Sequence, residues 1–262
     1  MAARKRFKVA LAQIPVASEK PDKNLARAEA ALREAKSAGC RLVVLPELWA
    51  TGYNLKNRER WASPIGKGLF AEAARLARTY RVYLQAGSLL CGRAGRYYNT
   101  AVLYDPQGRM LGRYDKMHLF RLMGEPKYLC PGWKPRTYAL PWTRAGQSIC
   151  YDLRFPELFR FYARRRCGLV FVPAEWPLPR REHWRTLLRA RAIENQCFVL
   201  GVNRVGHHQD VRFFGASAVI APDGTPLAEA GTRPELLIAE IDMRWVERLR
   251  NEFPVLRDLR RV

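Results

Sequence analysis

The chain has 262 residues, 48% of them hydrophobic, a composition that can bury the core of a folded domain and is unlike that of a disordered chain. It contains no run of 18 apolar residues and no signal-peptide core, so we expect a cytoplasmic protein without a transmembrane helix. The net charge of +22 would suit nucleic acid or an anionic membrane, but the basic residues are spread over the whole chain, and we expect a solvated arginine-rich surface that binds neither.

Apolar strands and amphipathic helices alternate in the first half of the chain. In chain order, the pattern predicts a buried strand over 8–14, a helix over 22–36, a strand over 42–45, a helix over 68–80, and strands over 82–88, 100–104 and 110–114. The run Leu42–Leu45 is wholly apolar, which is typical of a strand covered on both faces. The segment DPQG between 105 and 108 is a turn signal.

The second half begins with a loop over 116–137 that is rich in glycine and proline. The pattern then predicts a strand over 146–151, a helix over 156–166, a strand over 169–173, a helix over 181–196, and strands over 198–202, 216–220 and 236–241. No linker or repeat divides the chain, so we expect a single α/β domain over residues 1–262. From about residue 242 a short helix leads into an arm that could pack on a partner chain.

The six cysteines lie at wide spacings, with no CxxC pair, and the four histidines complete no zinc pattern. We therefore expect no metal site, and cysteines that are mostly reduced and buried. Cys150 differs from the other five because it lies at a sharp turn between a predicted strand and a predicted helix. Such a turn exposes a nucleophile near backbone N–H groups and lowers the pKa of a thiol. On its position alone, Cys150 could equally be a buried structural residue.

Two other polar residues follow predicted strands. Glu47 comes after LVVLP, and open α/β sheets place their sites at the carboxyl ends of such strands. Lys116 follows the predicted strand 110–114 and precedes the long loop. Taken singly, each could be a solvated charge, and His118 nearby is most simply a packed residue. No histidine stands at a comparable strand end, so a Cys–His pair is poorly supported. Together with Cys150, the carboxylate and the ammonium could instead supply the base and the cation that a thiol nucleophile needs.

The segments around these residues resemble the nitrilase superfamily of carbon–nitrogen hydrolases. They are LPELWATGY, RYDKMHLF, EPKYLCPG and SICYDLRFPELFR, and the resemblance continues through FVPAEWP and GVNRVG over nearly the whole chain. It implies a four-layer α-β-β-α sandwich that stacks into a homodimer. It also implies that Glu47, Lys116 and Cys150 are the catalytic triad, and that Glu125 is the family's second glutamate, which orients the lysine and the substrate.

The resemblance implies amide hydrolysis through a cysteine thioester, with no metal or organic cofactor. Glu47 takes the thiol proton of Cys150, and the thiolate attacks the amide carbon. Lys116 and the backbone N–H of Tyr151 stabilise the oxyanion. Ammonia leaves with a proton returned by Glu47, and water activated by Glu47 hydrolyses the thioester.

Within the superfamily, the chain most resembles the omega-amidase branch, whose substrates are 2-oxoglutaramate and 2-oxosuccinamate. The stretches KMHLFRLMGEPKYLCPG and CYDLRFPELFR carry this resemblance, as does AEWP followed by HW. The sequence RLMG after HLF departs from the acidic, Ile-Pro-Gly-type loop of mammalian-type omega-amidases and is similar to the shorter bacterial form. The exact acid therefore stays open.

An anionic small-molecule substrate of this kind carries a carboxylate, so the pocket needs a cation besides Lys116. Arg154, four residues after the cysteine, is the first candidate, and Arg121 on the loop is the second. Arg154 could instead pair with Asp152 or Glu157 as part of the scaffold, and Arg121 could be a plain surface charge.

The remaining candidate pocket residues are mostly aromatic. Tyr53, Phe120 and Trp176 stand at strand ends where they could form apolar walls, although each could also be ordinary packing, and Tyr151 contributes its N–H. Glu175 lies near the same strand end, where a capping or salt-bridge role suits it better than catalysis.

Two rival readings of function stay open at this point. A deaminated-glutathione amidase or a carbamoyl amidohydrolase would use the same triad with a larger or different acidic substrate. A basic nucleic-acid-binding or scaffold protein could keep the same fold, although an intact Glu47, Lys116 and Cys150 argues against an inactive scaffold.

Overall fold

The computed structural model describes residues 5–260, and in that range two six-stranded sheets pack face to face between helices. The strands, in chain order, are β1 (Arg6–Gln13), β2 (Cys40–Val44), β3 (Tyr83–Arg93), β4 (Arg96–Tyr104), β5 (Met110–Asp115), β6 (Thr137–Ala139), β7 (Arg144–Gln147), β8 (Leu169–Ala174), β9 (Phe198–Asn203), β10 (Val205–His208), β11 (Val211–Phe214), β12 (Ala218–Ile220), β13 (Pro226–Glu229) and β14 (Glu235–Asp242). The α-helices are α1 (Pro21–Ser37), α2 (Arg58–Trp61), α3 (Gly68–Tyr80), α4 (Pro156–Arg164), α5 (Arg181–Asn195) and α6 (Arg244–Glu252).

Each sheet is built around three parallel strands. The first sheet has the order β14-β1-β2-β3-β4-β5, and the second has the order β13-β12-β9-β8-β7-β6. Strands β1, β2 and β3 are parallel to one another, as are β7, β8 and β9. Parallel strands end at the same edge of a sheet, which is where α/β proteins place their sites. Strand β14 returns from the second sheet to pair with β1 in antiparallel register.

Alternation of side chains along the central strands produces the layers. In β1, Leu11 joins a core shared with Phe171 of the second sheet, whereas Ala10 joins the core that α1 and α3 cover. In β8, Phe171 lies between the sheets and Val172 packs with α4 and α5. Strands buried on both faces read as unbroken apolar runs, which is the pattern seen in the sequence. The four-layer α-β-β-α sandwich is confirmed.

The predicted helices at 22–36, 68–80, 156–166 and 181–196 are confirmed to within two residues at each end. None of the helices in the described range is long and apolar enough to cross a lipid bilayer. The predicted strand at 146–151 is wrong at its end, because the ladder stops at Gln147. The N–H of Ile149 donates to the Asp152 carboxylate, 2.9 Å away, instead of to a neighbouring strand.

Residues after β14 pack on their own chain. The Arg250 guanidinium donates to the backbone oxygens of Cys167 (2.6 Å) and Asn195 (3.2 Å), and the Gln196 amide donates to Phe253 O (2.6 Å). The contact of the predicted arm with a partner chain stays a prediction, and its last two residues, 261–262, lie outside the described range, as do residues 1–4.

Candidate active site

Glu47 is delivered by β2 into a fully buried position. Its Oε1 accepts hydrogen bonds from Lys116 Nζ (2.8 Å) and Asn99 Nδ2 (2.8 Å), and its Oε2 accepts one from the backbone N–H of Glu175 (2.9 Å). These three donors fix the carboxylate in one orientation, and charge-assisted hydrogen bonds are among the strong ones. Gly87 makes room for the exit of β2, since a Cβ on it would lie 1.9 Å from Pro46 O.

Lys116 lies between two carboxylates. Its Nζ is 2.8 Å from Glu47 Oε1 and 2.7 Å from Glu125 Oε1, and all three side chains are inaccessible to solvent. Burial opposes the charge of Lys116, but the two carboxylates outweigh burial and raise its pKa well above the ordinary value. The ammonium is therefore a permanent charge at this point in the fold.

Glu125 lies on a short 3-10 turn of the long loop, and hydrogen bonds to its carboxylate fix its side chain. Its Oε2 accepts the backbone N–H of Phe120 at 2.5 Å, and its side chain also hydrogen-bonds Tyr53, which is 6% exposed. Burial raises the pKa of Glu125, although Lys116 opposes the shift. The carboxyl thus ties the loop and a candidate pocket wall to the lysine.

Cys150 opens a 3-10 turn that follows β7, and its φ of +47° lies in the left-handed region that side chains seldom adopt. A strained backbone at a nucleophile is the arrangement of a nucleophile elbow. The Sγ atom lies 3.7 Å from the backbone oxygen of Glu175, to which the thiol donates, and close enough to Glu47 for the two side chains to interact.

The expectation that the turn lowers the pKa of Cys150 is wrong. Burial raises this pKa well above its ordinary value, the negative charge of Glu47 raises it further, and Lys116 only partly compensates. The resting residue is therefore a thiol, and any reaction through its sulfur would need a base to take the proton.

Asp152 holds the turn in place. Its two oxygens accept hydrogen bonds from Ile149 N (2.9 Å), His118 N (2.9 Å) and the Tyr114 hydroxyl (2.8 Å). His118 also places Nδ1 2.7 Å from Asp152 and stacks on Phe155. His118 is a packed residue, as its sequence context indicated.

The surroundings of Arg154 do not match the alternative in which it pairs with Asp152 or Glu157 as part of the scaffold. Within the described residues it forms no ion pair with Asp152 or Glu157, and its guanidinium lies 4.8 Å from the Trp176 ring centroid and 5.9 Å from that of Tyr151. Among residues 5–260, its guanidinium hydrogen-bonds His183 Nδ1, at 3.2 Å. A half-buried cation with aromatic neighbours and no carboxylate can receive an anion.

A second arginine lies near Arg154. The guanidinium of Arg180 lies 5.7 Å from the Phe120 ring centroid, and the Phe120 ring packs 4.8 Å from that of Tyr151. Burial lowers the pKa of Arg154, and the like charge of Arg180 adds to this. Arg121 is exposed, as its surface alternative stated.

The site straddles the two sheets. Glu47 and Lys116 follow strands of the first sheet, whereas Cys150 and Glu175 follow strands of the second. Sequence reasoning missed Asn99, which lies in the middle of β4 with nothing in its context to distinguish it. Within residues 5–260, no group of three or more His, Cys, Asp or Glu side chains could hold a metal ion.

Glu175 is buried and pairs with Arg204 at 3.1 Å, the salt-bridge role that its context favoured. Burial raises the pKa of Glu175 from 4.5 to about 7, against the opposing effect of Arg204. An acid whose pKa is higher in the folded state than in the unfolded state contributes to stability. This contribution is complete below the pKa of the unfolded state and is lost as the pH rises through the pKa of the folded state. This contribution therefore falls between about pH 4.5 and pH 7, by roughly 3 kcal/mol.

We expect Glu175→Gln, which has no proton to lose, to gain stability relative to the parent as the pH rises from 5 to 8. Urea unfolding of both proteins at pH 5, 6.5 and 8 measures the difference in free energy of unfolding. A difference that stays constant over this range would show that Glu175 does not titrate there.

Comparisons with known proteins place the chain in a family. A family described as carbon-nitrogen hydrolase matches residues 8–251. The chain is 38% identical to a 2-oxoglutaramate amidase of Bacillus subtilis over 256 residues, covering 98% of both chains, and 34% identical to omega-amidase NIT2 of Homo sapiens, covering 97% of this chain and 95% of the relative.

Solved structures show the same fold. A carbon–nitrogen hydrolase superfamily protein of Xanthomonas campestris, whose structure has an arsenic adduct in its active site, superposes with a TM-score of 0.91 at 30% identity, covering 98% of both chains. Nit3 of Saccharomyces cerevisiae superposes with a TM-score of 0.89 at 28% identity, covering 97% of this chain and 98% of the other.

The chain therefore belongs to the carbon–nitrogen hydrolase family, and its fold is that of the nitrilase superfamily. It is an enzyme that hydrolyses amides, as the resemblance of its motifs predicted. Its likeness to the omega-amidase branch, predicted from the same motifs, is confirmed.

Proposed function

We propose that this enzyme is an omega-amidase, which releases ammonia from 2-oxoglutaramate and 2-oxosuccinamate through a thioester on Cys150. The observation that carries the proposal is the buried cluster in which one ammonium contacts two carboxylates beside the thiol. The similarity to the two amidases named above supports this choice of substrate.

The geometry suits the following sequence of steps. Glu47 accepts the proton of the Cys150 thiol as the sulfur attacks the amide carbon, because the thiol is protonated at rest. Lys116 and the N–H of Tyr151 stabilise the tetrahedral oxyanion, and one such donor is typically worth about 3 kcal/mol. Glu47 returns the proton to the leaving ammonia, then activates the water that hydrolyses the thioester. Glu125 orients the Lys116 ammonium toward the oxyanion.

The substrate carboxylate binds Arg154, whose guanidinium has no carboxylate partner in the described part of the chain. Arg180 adds a second positive charge beside it. Trp176, Phe120 and Tyr53 form the apolar walls around the carbon chain between the carboxylate and the amide, which has three carbons in 2-oxoglutaramate and two in 2-oxosuccinamate. Trp176 is 2% exposed and its ring nitrogen donates to Arg180 O at 2.8 Å, so this wall is rigid.

Ammonia release from a panel of amides tests the proposal. The panel contains 2-oxoglutaramate, 2-oxosuccinamate, deaminated glutathione, a carbamoyl amino acid, glutamine and a simple nitrile. We expect the highest kcat/KM for the 2-oxo amides. A preference for deaminated glutathione or the carbamoyl compound would replace this proposal with one of the rival amidases and keep the same catalytic residues.

Replacing Arg154 by methionine is expected to raise the KM for 2-oxoglutaramate by about 10- to 100-fold and to change kcat by less than threefold. The reason is that a charge-assisted hydrogen bond to a bound carboxylate contributes roughly 1.5–3 kcal/mol. Steady-state kinetics of Arg154→Met and of Arg121→Met, the exposed control, make the measurement. Equal KM values for the two variants would remove Arg154 from the carboxylate site.

We also propose that the enzyme forms a homodimer, as the family resemblance implies, and that it acts in the cytoplasm. Its substrate is a small anionic amide. Light scattering after size exclusion measures the mass in solution. A mass of one chain, 30.2 kDa, at micromolar concentration would contradict the dimer.

A further inference from the structure

The backbone of one residue, Glu175, contacts both the proposed base and the proposed nucleophile. The backbone N–H of Glu175 donates to Glu47 Oε2 at 2.9 Å, and its backbone oxygen accepts the thiol of Cys150 at 3.7 Å. Residue 175 follows β8 directly, at the edge where the two sheets meet the site. A displacement of this backbone would therefore move the carboxylate and the sulfur relative to each other.

The side chain of Glu175 points to a different partner. Its Oε2 is 3.1 Å from Arg204 Nη1, and both side chains are almost completely buried, at 0% and 1% exposed. The other carboxylate oxygen, Oε1, accepts no hydrogen bond within the described residues. Glu175 is thus bound to the triad through its main chain and to Arg204 through its side chain.

Arg204 is anchored on three further sides. Its Nη2 donates to Val16 O (2.7 Å) and to His207 O (3.2 Å), and its guanidinium lies 4.5 Å from the Phe213 ring centroid. Val16 belongs to the segment after β1, whereas His207 and Phe213 belong to the hairpin of β10 and β11. The arginine therefore ties the segment after β1 and the separate β10–β11 hairpin to Glu175.

The contribution of the Glu175–Arg204 pair to the free energy of unfolding is a weak explanation for its presence. Two buried charges lose their hydration, and an apolar pair of similar volume is often as stable or more so. Leaving one buried carboxylate oxygen without a donor adds to the cost. The pair is better explained by what its geometry holds in place.

We propose that Arg204 and Glu175 are positioning residues of the reaction, which fix the backbone of residue 175 and thereby align Glu47 with Cys150. The inference rests on the catalytic roles given to Glu47 and Cys150 under the proposed function, but not on the identity of the substrate. Neither side chain contacts the reacting atoms. Their effect passes through the backbone of residue 175.

The test compares variants that keep or break the side-chain hydrogen bond. Glu175→Gln keeps an acceptor for Arg204 and is expected to retain kcat within about threefold. Glu175→Leu and Arg204→Met break the bond and are expected to lower kcat by at least 30-fold while KM changes by less than threefold. A role limited to folding would lower the melting temperature without this separation of kcat from KM.

The matched control is Arg250→Met. Arg204 donates to Val205 O as well as to Val16 O and His207 O, and Arg250 likewise donates to three backbone oxygens. Arg250 is half-buried rather than almost completely buried, and it contacts the chain before the amino end of β8, roughly 20 Å from residue 175 along the strand. It is expected to keep kcat within twofold. If Glu175→Leu or Arg204→Met fails to fold, Arg204→Lys, which keeps the charge and loses the bonds to Val16 and His207, is expected to lower kcat about tenfold.

The rate of alkylation of Cys150 by iodoacetamide gives a readout that needs no substrate. It is expected to fall at least tenfold in Glu175→Leu and Arg204→Met, and to be unchanged in Arg250→Met. If the parent releases no ammonia from the 2-oxo amides but this pattern holds, the substrate is wrong and the positioning role stands. Folded Glu175→Leu and Arg204→Met variants with parental alkylation, or a Glu175→Gln variant as slow as Glu175→Leu, would overturn it.

Discussion

Replacing Cys150 by alanine is expected to lower the rate of ammonia release by more than about 1000-fold, because no other group in the site can form the thioester. Cys150→Ser is expected to be nearly as inactive, since an alkoxide is much harder to generate than a thiolate. Coupled ammonia detection under saturating substrate measures both variants. Circular dichroism and the melting temperature show whether each is folded.

The control for this experiment is Cys40→Ala. Cys40 is also buried, at the start of the strand that ends before Glu47, so its replacement creates a similar small change without touching the site. It is expected to keep the parental kcat within about twofold, as a remote site should. Activity of Cys150→Ala within tenfold of the parent would exclude Cys150 as the nucleophile.

Replacing Lys116 by methionine is expected to lower kcat by about 100- to 1000-fold and to leave KM within about threefold. The ammonium stabilises charge that develops only in the transition state, and interactions of that kind act on turnover rather than on binding. Steady-state kinetics with 2-oxoglutaramate make the measurement. The melting temperature is expected to fall as well, because two buried carboxylates lose their shared cation.

Lys127→Met is the control for the loss of a positive charge. Lys127 is exposed on the same loop, two residues after Glu125. Its replacement by methionine is expected to leave kcat and KM unchanged. A Lys116→Met variant that is folded and has an unchanged kcat would refute the role given to Lys116 in binding the oxyanion.

Much of the fold and the identity of the clustered polar residues could be predicted from the chain. Apolar runs mark the strands buried on both faces, and Glu47 follows one of them. Lys116 and Cys150 follow the less apolar strands β5 and β7. The short strands β6, β10, β11 and β13 were missed because three or four residues, several of them polar or half-exposed, give too little alternation to recognise.

Contacts between distant segments were the part that sequence could not supply. The raised thiol pKa of Cys150 depends on complete burial and on the carboxylate of Glu47 from the other sheet. The position of Arg180 beside Arg154 depends on how the chain turns after β8. A residue pattern records the local tendency of a segment to form a strand or a helix, but these effects arise from side chains far apart in the chain.

Because the site is divided between the two sheets, activity depends on how the sheets pack against each other. Neither half of the chain contains both the proposed base, Glu47, and the proposed nucleophile, Cys150, so a fragment with only one sheet is expected to be inactive even if it is folded. A small slip of one sheet over the other would separate Glu47 from Cys150 while every strand kept its own hydrogen bonds. Catalysis should therefore disappear at lower denaturant than secondary structure does, and ammonia release becomes a sensitive gauge of how well the sheets are docked.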